Sequence, residues 1–224
     1  MAQCLRKNGG VRHETAVRRL RAVATRCQRA GDLWDEPFLV AAYAFGAVLD
    51  SRADLPVVQM AFVLTLPAEE LTWCARPQSC VGLPQLLEID NAPVQWYLRP
   101  SVWPVANHAI RRPLRVWSLD GGPDVAALDS LARGEADGLR LPEPSPADVW
   151  EQLAAELAAS RTHLRAVEAS YWERDWRSAN RGLGVHPEHH LWDAVHGYLD
   201  LLKATSAARP GHDDRMPGPV DEAR

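Results

Sequence analysis

The chain has 224 residues, 46% hydrophobic and 24% charged, with a formal net charge of −4. That length suits one domain, or one domain with a helical extension. The mild acidity gives no global reason to expect nucleic acid or an anionic membrane as partner, and nine Trp against three Phe allow a substantial core.

Residues 1–12 carry no apolar periodicity and are expected to be disordered. Val11, just ahead of the first pattern, is a candidate alternative start. From His13 a helix is predicted: Ala16, Leu20, Val23 and Cys27 share one face, and Gly31 stops it. Its arginines, among them Arg12, Arg19 and Arg26, lie on several faces without an aromatic platform, so a solvated face is expected rather than a phosphate site.

Two apolar runs follow, Phe38–Leu49 and Val57–Leu66, joined by the polar segment Asp50–Pro56. Branched and aromatic residues and the breakers between them predict two strands, apolar on nearly every position and therefore covered on both faces. Pro67–Glu70 and Gly82–Asp90 are expected to form short helices, Val94–Leu98 a third strand, Arg99–Arg112 a loop and Leu114–Leu119 a fourth strand. Asp120-Gly121-Gly122 reads as a turn, and Pro123–Arg133 as a helix with proline near its first position.

Leu141–Pro146 has proline at alternate positions and predicts an extended linker. Ser145, Pro146 and Asp148 then form a capping-box start. That helix is expected to run to about Trp176, with Trp150, Leu153, Leu157, Leu164, Val167 and Tyr171 near heptad spacing. Trp172 and Trp176 are expected to cover the core. Asn180–Gly184 breaks the pattern, and Pro187 opens a last helix with Leu191, Val195, Tyr198 and Leu202 as its buried face. Residues 206–224 have almost nothing to bury and read as a disordered tail.

The expected fold is α+β: a body over residues 13–140 with a mixed sheet of four or five strands, and a helical hairpin over 145–205 packed on it. No apolar run of about 18 residues predicts a transmembrane helix, and the N-terminus lacks a signal-peptide pattern, so a cytoplasmic protein with reduced cysteines is expected. Cys74 and Cys80 do not have zinc-site spacing.

The stretch Tyr43–Leu64 resembles the opening of a nucleotidyltransferase domain. That family follows its first strand with a Gly-Ser turn and opens its second strand with an Asp-x-Asp pair that binds two magnesium ions. Here Phe45-Gly46-Ala47 stands at the turn, with Ala47 replacing the serine. Val57 and Gln59 stand where the carboxylates would be, and Asp50 and Asp54 lie in the connection. A valine and an amide cannot replace two anionic ligands. The resemblance therefore implies a cleft at Gly46, Asp50 and Asp54 that has lost transferase chemistry, with no cofactor and no catalytic residue. The whole resembles actinobacterial proteins carrying a domain of unknown function.

The last helix places His189, Asp193 and His196 within about 60° of one another, a candidate transition-metal face, with His186 and Asp200 close to the same line. Val195-His196-Gly197-Tyr198 also resembles the end of the Arg-x4-His motif of HEPN ribonucleases, but Leu191 occupies the arginine position. Arg181 and His186 have that spacing but straddle Gly182 and Gly184. The expected function is a non-catalytic, nucleotidyltransferase-like interaction or antitoxin-type module, with a protein partner or self-association. The alternative is a metal-dependent enzyme or HEPN-like ribonuclease on the histidine face.

Overall fold

The computed structural model describes residues 10–33 and 36–208; the ends expected to be disordered fall largely outside these. Helix α1 (His13–Gly31) is followed by β1 (Leu39–Phe45), α2 (Ala47–Asp50), β2 (Val58–Leu64), α3 (Leu83–Leu86) and β3 (Val94–Pro100). Then come β4 (Leu114–Ser118), β5 (Gly122–Pro123), α4 (Val125–Arg133), α5 (Pro146–Ser170), α6 (Arg174–Ala179) and α7 (Pro187–Ala208). Among the described residues the strands form one mixed five-stranded sheet, ordered β3-β2-β1-β4-β5. β1 runs antiparallel to both β2 and β4, and β2 parallel to β3. The α+β class and the mixed sheet agree with the sequence reading.

Side chains alternate across a strand, and β2 uses both faces. Val58, Met60, Phe62 and Leu64 meet the buried face of α1 (Ala16, Leu20, Val23 and Cys27) together with Leu128 and Leu131 of α4. Ala61 and Val63 point the other way, and with Ala41 and Phe45 they meet Val149, Leu153 and Leu201 of α5 and α7. The sheet is thus covered on both sides, which explains why its central strands are nearly all apolar.

Several spans depart from the sequence expectation. The run Phe38–Leu49 is not one strand. Gly46, at φ 71°, turns the chain, and Ala47–Asp50 winds into α2. Such a φ is open to glycine and strained for most other residues. Pro67–Glu70 forms turns instead of a helix, with the Glu70 and Leu71 amides both donating to the Pro67 carbonyl. Pro123 belongs to β5; α4 starts two residues later, capped by Asp124, whose Oδ1 accepts from the Ala127 amide at 2.9 Å.

The capping box at Ser145 and Asp148 is present, and Pro146 leads α5. That helix stops at Ser170 rather than near Trp176, because Glu173 is extended and caps the separate helix α6. Trp172 is left 83% exposed, so it does not cover the core. α7 is turned by about one residue from its expected face, whereas α5 keeps Leu153 and Val167 buried as expected, with Trp150, Leu157, Leu164 and Tyr171 half-buried. α5 buries Val149, Leu153, Glu156, Ser160 and Val167. α7 buries His190, Ala194, Gly197 and Leu201, leaving Leu202 41% exposed. A small residue bears on the turn of α7: Gly197 lets the helix approach the Trp73 backbone more closely than a leucine would.

Candidate functional site

The Gly46 turn sits against β2. Phe45 pairs with Gln59 across the antiparallel ladder, and the Gln59 side chain fills the space where a Cβ at residue 46 would lie, 3.2 Å from its Cδ. Gln59 Nε2 donates to Gln95 Oε1 at 3.2 Å, and Gln95 Nε2 donates to the Tyr97 hydroxyl at 2.6 Å. Because β2 and β3 are in parallel register at Gln59 and Gln95, the two amides are immediate neighbours.

The row continues through aromatic rings. Tyr97 stacks on Trp73 at 4.7 Å and tilts against Phe45 at 5.9 Å. Trp73 Nε1 donates to Asp200 Oδ2 at 2.7 Å, and the same oxygen lies 3.8 Å from His108 Nε2. The line from the Gly46 turn to α7 is therefore two amides, a phenol, an indole and one carboxylate. Burial, with smaller contributions from Cys74 and Asp200, pushes the Tyr97 hydroxyl up to about 12, so it stays protonated. Burial also lowers His108 below the ordinary imidazole value of 6.5, against the pull of Glu156 and Asp200.

Asp50 and Asp54 point to other work. Asp50 Oδ1 accepts from Arg140 Nη1 at 2.7 Å, tying α2 to the segment after α4. Asp54 is exposed, beside Gly10. Val57 is half-buried at the mouth of β2.

The residues of the histidine face have separate neighbours. His189 Nδ1 accepts from the His186 amide at 3.2 Å, and His196 lies parallel to Trp192 at 6.2 Å. Burial raises Asp193 above the ordinary carboxylate value of 3.8, opposed by Arg76. Among the described residues no three His, Cys, Asp or Glu side chains gather as a metal site. The described cysteines are all free, and burial pushes Cys27 and Cys74 up to about 12 and Cys80 to about 11. None is the low-pKa thiolate that nucleophilic chemistry needs. Cys74 has φ 64°, in the turn that α7 presses upon.

A second polar group was not anticipated. Arg99 and Glu156 are both fully buried, and Arg99 Nη2 donates to Glu156 Oε1 at 2.6 Å and to the Pro104 carbonyl at 2.9 Å. Gln152 donates to the same Glu156 oxygen at 2.9 Å, and Asn107 Nδ2 to Oε2 at 3.2 Å. Asn107 Oδ1 accepts from the Ala109 and Ile110 amides. One carboxylate thus ties β3, the following loop and α5 together. That loop and the proline segment border a groove of about 580 Å³, lined in part by Tyr43, Trp103, Val105, Leu141 and Pro144. The sequence reading places Arg99 in a loop and singles out no role for Glu156, so it does not bring the pair together. Its one available signal was Glu156 between Leu153 and Leu157.

Together these features define an α+β protein whose helical pair closes one face of a mixed sheet over a largely neutral row of amides and aromatic rings. No helix among the described residues is long and apolar enough to cross a membrane. The chain belongs to the family described as a domain of unknown function, DUF7711, which matches residues 11–207. Neither a curated protein nor a solved structure matches the chain.

Proposed function

We propose that the protein is a non-catalytic, nucleotidyltransferase-like interaction module. One observation carries this reading: beside the Gly46 turn, where that family needs two anionic magnesium ligands, stands the hydrogen-bonded row Gln59, Gln95 and Tyr97. Magnesium is held by carboxylates together with water and phosphate oxygens. Neutral amides, of which the Gln95 oxygen already accepts from Gln59, offer it no charge. The order of elements supports the same reading: a strand ends at a glycine that starts a helix, and an antiparallel strand returns beside it. Of the two carboxylates in the connection to β2, Asp50 is paired with Arg140 and Asp54 is exposed.

Incubation with magnesium and each of ATP, CTP, GTP and UTP tests the reading. No nucleotidylated product and no thermal stabilisation are expected. A triphosphate at about 100 times its dissociation constant adds about 2.7 kcal/mol to stability, so binding would be plain. Stabilisation by one triphosphate, lost in Asp50→Asn or Asp54→Asn, would overturn the reading.

A further inference from the structure

Helix α7 has a second apolar face that nothing among the described residues covers. Its inner face, His190, Ala194, Gly197 and Leu201, packs on the body. On the opposite side Trp192, Val195, Leu199 and Leu202 follow the spacing i, i+3, i+7, i+10. Trp192, Leu199 and Leu202 are 56%, 55% and 41% exposed. Trp172 extends the stripe at its N-terminal end. The Arg177 guanidinium lies 5.9 Å from the Trp172 ring and donates to Glu188, in the first turn of α7, at 2.8 Å.

We propose that this stripe is a self-association surface, on which α7 of a second copy packs antiparallel. The proposal names the partner for the interaction-module reading and rests on it. Three features favour a second copy. First, the 3-4-3 spacing is that of a coiled-coil seam, which complements another seam like itself. Second, the spacing is the same from either end. A twofold axis at Gly197 sets Trp192 over Leu202 of the other copy, and Val195 over Leu199. Third, the area is adequate. With up to about 250 Å² per indole, the two tryptophans and two leucines expose roughly 500 Å², or ~1,000 Å² for a twofold pair, which is the lower bound for a specific interface.

The flanks suit the same partner. Leu191, Tyr198 and Thr205 border the seam on one side, and His189, His196 and Lys203 on the other. No carboxylate lies on the seam between Trp192 and Leu202. The charged residues around it, Glu188, Asp193, Asp200 and Lys203, are not the lysine- and arginine-rich rim of a membrane-surface helix.

Sedimentation of the full chain over a concentration series tests this. Reversible dimerisation from the 24.9 kDa monomer is expected. Trp192→Glu and Leu202→Lys should each weaken it at least tenfold, and since both side chains are exposed, the melting temperature extrapolated to low concentration should hold. In the antiparallel pair residue 192 meets residue 202, so mixed Trp192→Glu and Leu202→Lys chains should pair with each other more tightly than either variant pairs with itself. A wild-type chain that stays monomeric at about 100 µM overturns the proposal, as does a dimer indifferent to both single substitutions. Failure of the single variants to combine overturns the antiparallel register. None of these outcomes bears on nucleotide transfer, so the non-catalytic reading stands or falls separately.

Discussion

Replacing Gly197 by alanine sets two physical effects against each other. Mid-helix, alanine is favoured over glycine by about 1 kcal/mol. Yet a Cβ at this position overlaps the Trp73 carbonyl oxygen and lies 2.9 Å from its carbon. Both atoms are backbone, so no rotamer change relieves the contact. Ordinary contact begins near 3.4 Å, and α7 must withdraw by the difference, 3.4 minus 2.9, or 0.5 Å at least. Withdrawal loosens the packing of Ala194 and Leu201 and stretches the 2.7 Å bond from Trp73 to Asp200. Overpacking of this kind costs at the upper end of about 1–3 kcal/mol or beyond. Set against the helix gain, the expected net loss is about 2 kcal/mol or more. In a chain of this length that lowers the melting temperature by roughly 4–8 °C. Gly82→Ala is the control, since nothing lies within 4 Å of a Cβ there. Thermal and urea unfolding read both variants. A Gly197→Ala protein as stable as the parent, or more so, would show that α7 does not rest on the Trp73 turn.

Three further outcomes follow from the packing. Glu156→Ala strands a fully buried arginine and should cost about 3–5 kcal/mol in urea unfolding, whereas Arg99→Met combined with Glu156→Leu should cost much less; equal costs would contradict the buried pair. Leu201→Ala should cost about 2–5 kcal/mol because Leu201 is fully buried, and Leu202→Ala under about 1 kcal/mol because it is not; the reverse order would restore the helix face expected from sequence. Burial lowers His108, His163 and His190 below 6.5 in the folded state, so the unfolded chain takes up protons first as pH falls. Stability is complete above about pH 6.5, declines below it, and levels off once the folded-state values are passed. His163→Gln should flatten the urea-midpoint change between about pH 7.5 and about pH 5.5, and a midpoint constant over that range would refute the shift.

The elements legible in the sequence are those whose cause is local. The α1 face of Ala16, Leu20, Val23 and Cys27 is set by helical periodicity and is buried as expected. The capping box at Ser145 and Asp148 needs only neighbouring residues, and it forms. Gly46 was legible as a turn because few other residues accept its φ, but not as the start of α2, since the apolar residues Ala47–Leu49 fit strand and helix alike.

Tertiary packing decided the rest. Which way α7 turns depends on where two backbones can come close, and Gly197 lets it rest against the Trp73 carbonyl. A hydrophobic count favours the larger Leu191, Val195 and Leu202, so it predicts a face about one residue away. The packing of α5 also buries Glu156, a charged residue between Leu153 and Leu157. Its partner Arg99 is 57 residues away in sequence, and no local pattern joins them. The amide row at the Gly46 turn has the same origin. Gln59 and Gln95 meet because β2 and β3 lie parallel in one register, and register is a property of the assembled sheet, specified by the faces it must bury.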